Sequence, residues 1–279
     1  MKHATQTVAA TLLALASPAL AADGWSLSNI AANVENSAFA SYEDFSTGEH
    51  DSDWQSEARN AVDLSQLPLW SEVSAASGEA WSEGRTEANA SITENILTLE
   101  CDSDCGAWGQ TFGDYSATAD CWSSSEVVAT IRLDGPKSIH FRGGLHAAGS
   151  DAMGEARIRI ERASDGLLIS QWTASMSSTD IDLESTLASG EYRIRIYTGG
   201  FTQGGTETLP SSTISQSAWL EANIQPMILN PDLNGDQVVN GLDLGLLFAD
   251  WGFGNSPADL NLDGMVNGAD MGLMFSHWK

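Results

Sequence analysis

From Val127 onward the chain alternates apolar and polar residues with a period of two. Val127, Ala129, Ile131 and Leu133 alternate with Val128, Thr130 and Arg132, ahead of an Asp134-Gly135-Pro136 turn. Ile139 and Phe141 alternate with His140 and Arg142, and Ile158 and Ile160 with Arg157, Arg159 and Glu161. Asp165-Gly166 turns the chain into Leu167 to Trp172, Ser189-Gly190 precedes Tyr192, Ile194 and Ile196, and a last strand is predicted around Ser215 to Ile224. Short alternating runs punctuated by Gly and Asp are strands with one face buried. They predict a mainly β fold, an antiparallel sandwich or jelly roll spanning residues 22–225. Before about residue 90 the chain is rich in Ala, Ser and Glu, and strands can be placed there only loosely.

Near the C-terminus the period changes to that of a helix. Leu244, Leu247, Phe248 and Trp251 are spaced i, i+3, i+4 and i+7, and Met271, Met274, Phe275 and Trp278 repeat the spacing. Each stretch closes one copy of a 21-residue phrase, starting at Asp232 and again at Asp259, with 12 of 21 positions identical. Side-chain oxygens fall at loop positions 1, 3, 5, 9 and 12: Asp232, Asn234, Asp236, Asn240 and Asp243, then Asp259, Asn261, Asp263, Asn267 and Asp270. With the backbone carbonyls of Val238 and Met265 at position 7, this is the oxygen spacing of a twelve-residue calcium loop, so two Ca²⁺ sites are predicted. Asp, Asn and Gly are also ordinary turn residues, but two copies in register, each followed by the same helix, exceed what turns require. No helix precedes the first loop, because Pro226 and Pro231 disfavour one; residues 226–231 read as a linker. Gly245 and Gly272 occupy equivalent mid-helix positions, which predicts close approach of two helix backbones in a pseudo-twofold pair.

These residues resemble a type I dockerin, the duplicated calcium-dependent module that docks onto cohesin domains. The resemblance covers residues 230–279. It implies one calcium ion per loop, a cohesin-like or other surface protein as partner, and extracellular polysaccharide-degrading machinery as the setting. The chain departs from the pattern at Gln237 (loop position 6, where Gly264 stands in the second copy), at Leu262 (position 4), and at Gly241-Leu242 and Gly268-Ala269. The last two pairs replace the Ser/Thr residues often read by a cohesin. A calcium-stapled end without a partner is the alternative.

The first 21 residues carry Lys2 and His3, an apolar run from Val8 to Leu15, and Ala19-Leu20-Ala21. This is a secretory signal peptide, with cleavage expected between Ala21 and Ala22 and an extracellular or cell-surface location. The run is too short to span a bilayer. The sequence has 12 Lys+Arg against 38 Asp+Glu, net −26; only Lys2 lies in the leader, so the mature chain stands near −27. Such a surface repels nucleic acid and anionic lipid. Cys101, Cys105 and Cys121 allow one disulfide in three pairings, in keeping with export.

No HExxH, GxSxG, P-loop or dinucleotide fingerprint is present, and the abundance of carboxylates singles out no glycosidase pair. His140 and His146 flank Arg142-Gly143-Gly144 and read as a strand-face and a loop histidine. Eight of the 11 mature basic residues lie between Arg132 and Arg195. They suit either cross-strand pairs with acids or a face for an acidic glycan. Of ten tryptophans, Trp172 and Trp219 sit in strand patterns and are expected in the core. Trp25, Trp54, Trp70, Trp81, Trp108 and Trp122 are the candidates for exposure. The resulting expectation is a secreted binding or structural sandwich, without catalytic residues, carried by a calcium-binding attachment module. A polysaccharide-active enzyme with the same tail, and a purely structural matrix protein, are the alternatives.

Overall fold

The computed structural model describes residues 21–22, 24–110, 115–149, 153–205, 211–226, 230–254 and 256–279. The predicted leader, apart from Ala21, lies outside them. The strands are β1 (Ala21–Ala22), β2 (Trp25–Asp44), β3 (Glu49–Ala61), β4 (Leu69–Ser77), β5 (Ala80–Thr93), β6 (Ile96–Trp108), β7 (Tyr115–Leu133), β8 (Lys137–Gly149), β9 (Met153–Arg162), β10 (Leu168–Ala174), β11 (Ser178–Leu187), β12 (Gly190–Gly204) and β13 (Ser211–Pro226). They form two antiparallel sheets. The seven-stranded sheet runs β1-β2-β7-β12-β9-β10, with β3 also paired to β2, and the six-stranded sheet runs β11-β8-β13-β6-β5-β4. No described helix is long and apolar enough to cross a membrane.

The inner faces meet in a core whose character changes along the strands. One end is filled by Ile131, Leu133, Phe141, Ile158, Ile160, Ile194, Ile196 and Leu220, all buried. Removing one of these large side chains would cost about 2–5 kcal/mol. The other end is built from Ala38, Ala40, Val73, Ala75, Ala80, Ala107, Ala117 and Ala119. Between them lie buried hydroxyls and amides. The Asn36 amide donates to the Ser71 carbonyl and to the Ser71 and Thr86 hydroxyls, each at 3.0 Å. The Ser103 hydroxyl donates to Gln216 at 2.6 Å, and Ser125 donates to the Glu87 carbonyl at 2.7 Å. Alanine and serine pack the two sheets closely there without a large apolar side chain. That is why β2 to β5, which occupy most of the first 93 residues, leave so weak a hydrophobic alternation.

Cys105 on β6 and Cys121 on β7 form the disulfide and tie one sheet to the other. Cys101 is the odd thiol, buried, with Sγ 3.7 Å from the Ile196 carbonyl. Burial pushes it up to about 12, so it stays protonated and unreactive. A maleimide should therefore label no thiol in the native chain and one after denaturation without reductant, read by intact mass; native labelling would show Cys101 to be accessible.

The C-terminal segment holds α1 (Gly241–Ala249) and α2 (Gly268–Ser276). Val239, Leu247, Ala258, Leu260, Val266 and Met274 form its own core. The halves are linked reciprocally: Gly252 N–H donates to Val266 O at 2.8 Å, and Lys279 N–H to Val239 O at 3.1 Å. The pseudo-twofold pairing expected from the repeat is present. Its expected cause is not: a Cβ at Gly245 or Gly272 would meet nothing within 4 Å.

Candidate functional site

Outward residues of the six-stranded sheet are aligned by register into rows. Glu72, Arg85, Asp104, Ser215 and Ala148 lie in one row across β4, β5, β6, β13 and β8. Glu83, Gly106 and Thr213 form the next row, and Trp81 pairs with Trp108 in the row after. Each is outward because its neighbours Ser82, Thr86, Ser103, Cys105, Ser212 and Ile214 are buried. Together they border an open groove of about 550 Å³, within the ~300–1,000 Å³ typical of small-molecule sites.

The ring of Trp81 leans over Gly106. A Cβ at that glycine would sit 3.6 Å from the ring carbons, so the indole lies along the sheet with one face open. Trp219 does the same over Gly144, whose Cβ would be 2.8 Å from its Nε1. Trp219 is 44% exposed, contrary to the expected core position, because its neighbours Ala218 and Leu220 take the inward parity of β13. Trp25 departs in the opposite direction: it is 1% exposed and belongs to the main core. Trp54, Trp70 and Trp81 are exposed as expected. Trp70 stacks on Arg59 at 4.9 Å, a cation–π contact.

Electrostatically the groove is acidic. Glu72, Glu83 and Asp104 line it with Arg85, and Glu87 and Asp102 lie in the adjoining outward row of β5 and β6, with Glu100 one row further on. Partial burial, followed by the charges of Asp104, Glu87 and Glu100, pushes Asp102 up to about 6. The arginine-rich face is on the other sheet and is neutralised. Arg159 pairs with Glu161 at 3.0 Å, Arg193 with Glu161 at 2.9 Å, and Arg195 with Glu126 at 3.2 Å. Arg193 and Arg195 thus pair with acids across strands, as one of the two expectations had it, while Arg159 and Glu161 pair within β9. His140 and His146 both lie on β8; the first meets Asp182 at 2.6 Å and the second, expected in a loop, meets Ser178 at 2.8 Å.

The predicted calcium ligands lie in two loops with a common hydrogen-bond plan. Asp232 accepts from the N–H groups of Gly235, Asp236 and Gln237, and Asp259 from those of Asp263 and Gly264. Asn234 and Asn261 accept from the N–H two residues on, and Asp236 and Asp263 do likewise from Val238 and Met265. Asn240 and Asn267 cap α1 and α2, while their amides donate to the carbonyls of Val238 and Met265. Asp243 and Asp270, fully buried, complete the capping boxes. Burial would raise Asp243, but N–H donors from Asn240, Asn234 and Leu233 together hold it below the ordinary carboxylate value. Asp263 is held low first by the Asn261 amide.

Two positions per loop are left-handed, and each loop has a glycine at only one of them, a different one in each copy. Gly235 and Gln237 have φ 76° and 71°; Leu262 and Gly264 have φ 54° and 90°. The side-chain residue in each pair costs about 1 kcal/mol. As a donor set the loops fit a hard cation, all oxygen and mostly anionic. In this structure their carboxylates serve the loop's own N–H groups, and no three His, Cys, Asp or Glu side chains are gathered for a metal among the described residues.

The apolar stripe predicted on each helix is divided. Leu247 and Met274 are buried, with Leu244 and Met271 partly so, but Phe248 and Phe275 are 51% and 47% exposed and Trp251 and Trp278 lie beside them. Their ring centroids are 5.4 and 5.3 Å apart, so each half displays the same Phe–Trp pair. A nine-residue helix has too little partner surface to cover i, i+3, i+4 and i+7 together.

No family model matches the chain, and no curated protein matches it. Among solved structures, it is similar to TmCBM61 in complex with beta-1,4-galactotriose at 10% identity, over 49% of this chain and 86% of that one, with a TM-score of 0.22. It is also similar to infectious bursal disease virus Gx strain at 10% identity, over 77% and 68%, with a TM-score of 0.21. With TM-scores this low, the fold rests on its own strand register and not on either similarity.

Proposed function

We propose that this is a secreted binding protein that holds a neutral polysaccharide along the outer face of its six-stranded sheet, with the C-terminal module as a calcium-ordered attachment device. The observation that carries it is the groove in which Trp81 lies on Gly106 beside Glu72, Glu83, Arg85 and Asp104. A flat ring offers an apolar surface to the C–H face of a sugar. Carboxylates and a guanidinium around it accept from and donate to hydroxyls. An acidic rim disfavours anionic glycans. The affinity of the full chain for soluble xyloglucan, galactan and laminarin tests this. Trp81→Ala should weaken binding about thirtyfold, the cost of removing a central aromatic of ~2 kcal/mol. Binding unchanged by that substitution would remove the groove from consideration. Asp102 favours a second reading, as an enzyme: a carboxyl raised to about 6 beside Asp104 is what a general acid requires. Hydrolysis of the bound glycan, lost in Asp102→Asn, would decide for it.

In the tail, Asp232, Asn234, Asp236, the Val238 carbonyl, Asn240 and Asp243, with Asp259, Asn261, Asp263, the Met265 carbonyl, Asn267 and Asp270, would hold the two ions. Calcium there would supply positive charge to loops rich in carboxylate, and so favour the folded module. The duplicated Phe–Trp pairs would then face a cohesin-like or other surface protein. Calcium should protect residues 230–279 from proteolysis in the full chain, with the effect abolished in Asp232→Ala/Asp259→Ala. Equal protection with chelator would count against the metal.

A further inference from the structure

The opposite face of the sandwich repeats the construction of the groove. On the seven-stranded sheet, Phe201 of β12 stands between Trp122 of β7 and Met153 of β9. Two residues earlier, register places Gly199 between Ser124 and Glu155. Tyr197 lies back over that glycine: a Cβ there would fall 2.3 Å from the tyrosine Oη and 2.7 Å from Cζ. The result is an open hollow of about 470 Å³, bordered by Trp122, Phe201, Tyr197, Met153 and Glu155.

A face that served only to cover the sheet would be filled at position 199 by a side chain packing on its cross-strand neighbours. Here position 199 carries no side chain of its own, and the hydroxyl end of Tyr197 lies over it beside an open hollow, as the ring of Trp81 lies over Gly106 on the other sheet. Its polar border carries no net charge, because Glu155 is held by Arg157 through Nε at 2.7 Å. Met153 is 75% exposed at the rim. Aromatic faces, a tyrosine hydroxyl and a neutralised carboxylate match an uncharged polyol with an apolar side, and they do not suit an anion.

We infer that the seven-stranded sheet carries a second site for a neutral glycan, centred on Tyr197, so that one molecule holds two polysaccharide chains on opposite faces and cross-links them. This rests on the glycan-binding reading of the first groove, and the test separates the two. The full chain and three variants, Trp81→Ala, Tyr197→Ala/Phe201→Ala and the combination, are run in gels containing xyloglucan, β-1,4-galactan or laminarin. The same mixtures are followed by turbidity. Expected is that either face variant still binds, about thirtyfold more weakly for Trp81→Ala and about tenfold for Tyr197→Ala/Phe201→Ala, while turbidity is lost in both and binding is lost in the combination. Tyr197→Phe, which keeps the ring, should retain turbidity, and a melting temperature of Tyr197→Ala/Phe201→Ala close to that of the unmodified chain shows that its loss is not misfolding. If Tyr197→Ala/Phe201→Ala binds and cross-links like the unmodified chain, the second site is overturned and the first stands. The same holds if Trp81→Ala alone removes all binding. If Tyr197→Ala/Phe201→Ala removes all binding and Trp81→Ala none, the first site falls, and the two-site proposal with it. Absence of binding by the unmodified chain overturns both.

Discussion

Replacing Asp243 and Asp270 together by alanine is expected to unfold the C-terminal module and leave the sandwich intact. Each carboxylate closes its loop onto the helix that follows. Asp243 accepts from Leu233 N at 2.8 Å, Asn234 N at 3.2 Å and Asn240 N at 2.9 Å. Asp270 accepts from Asn261 N at 3.0 Å and Asn267 N at 2.8 Å. Both side chains are fully buried. Their removal strands backbone donors that no neighbour can reach, at about 1–3 kcal/mol for each donor left buried, and it also dissolves both capping boxes. A module of this size, with a core of six small and medium side chains, has only ~3–5 kcal/mol to lose. Hydrogen exchange separates the parts: amides of 230–279 should exchange freely in the double variant, while those of β7 and β12 stay protected. Retained protection in α1 and α2 would show that calcium or the shared core holds the module without these carboxylates.

Removing the Cys105–Cys121 bridge, as Cys105→Ala/Cys121→Ala, should lower the melting temperature of the sandwich by roughly 6–12 °C. The cysteines are 16 residues apart, and closing a loop of that length restricts the unfolded chain by about 3 kcal/mol. For a domain of this size 1 kcal/mol corresponds to ~2–4 °C. The bridge also sits where the core is weakest. It packs with Ile214 in a small cluster of its own, next to the alanine-lined end, where little apolar area holds the sheets together. Calorimetry of both forms measures the shift; a change below about 2 °C would mean that the buried hydrogen bonds around Asn36 and Ser103 hold that end unaided.

Legibility differed between the two halves of the sandwich for a physical reason. Strands β7, β8, β9 and β12 bury Ile, Leu, Val, Phe and Tyr against polar outer residues, so period two shows in hydrophobicity. Strands β2 to β5 bury mostly Ala, Ser, Asn and Gly, and their alternation is of size and charge. The stretch from Ser82 to Glu87 illustrates it: Ser82, Gly84 and Thr86 are inward while Glu83, Arg85 and Glu87 are outward. A search for alternating small and charged residues would have found β5 and the acid-lined face of β6, where Asp102 and Asp104 flank buried Ser103.

Composition and local spacing by themselves determined the mainly β class, the turns after β7 and β9, the two short helices and the duplicated oxygen-bearing loops. All of these depend on contacts within a few residues. Only the tertiary structure decided which cysteines pair, that Trp25 is core and Trp219 surface, that Gly245 and Gly272 face open space, and that Phe248 and Trp251 leave the apolar stripe. It alone assembled Glu72, Trp81, Arg85 and Asp104 with Ser215 into one groove. Strand parity and cross-strand register set those outcomes, and a one-residue slip would turn every side chain to the other face. The partners lie as far apart as β4 and β13, beyond the reach of any local pattern.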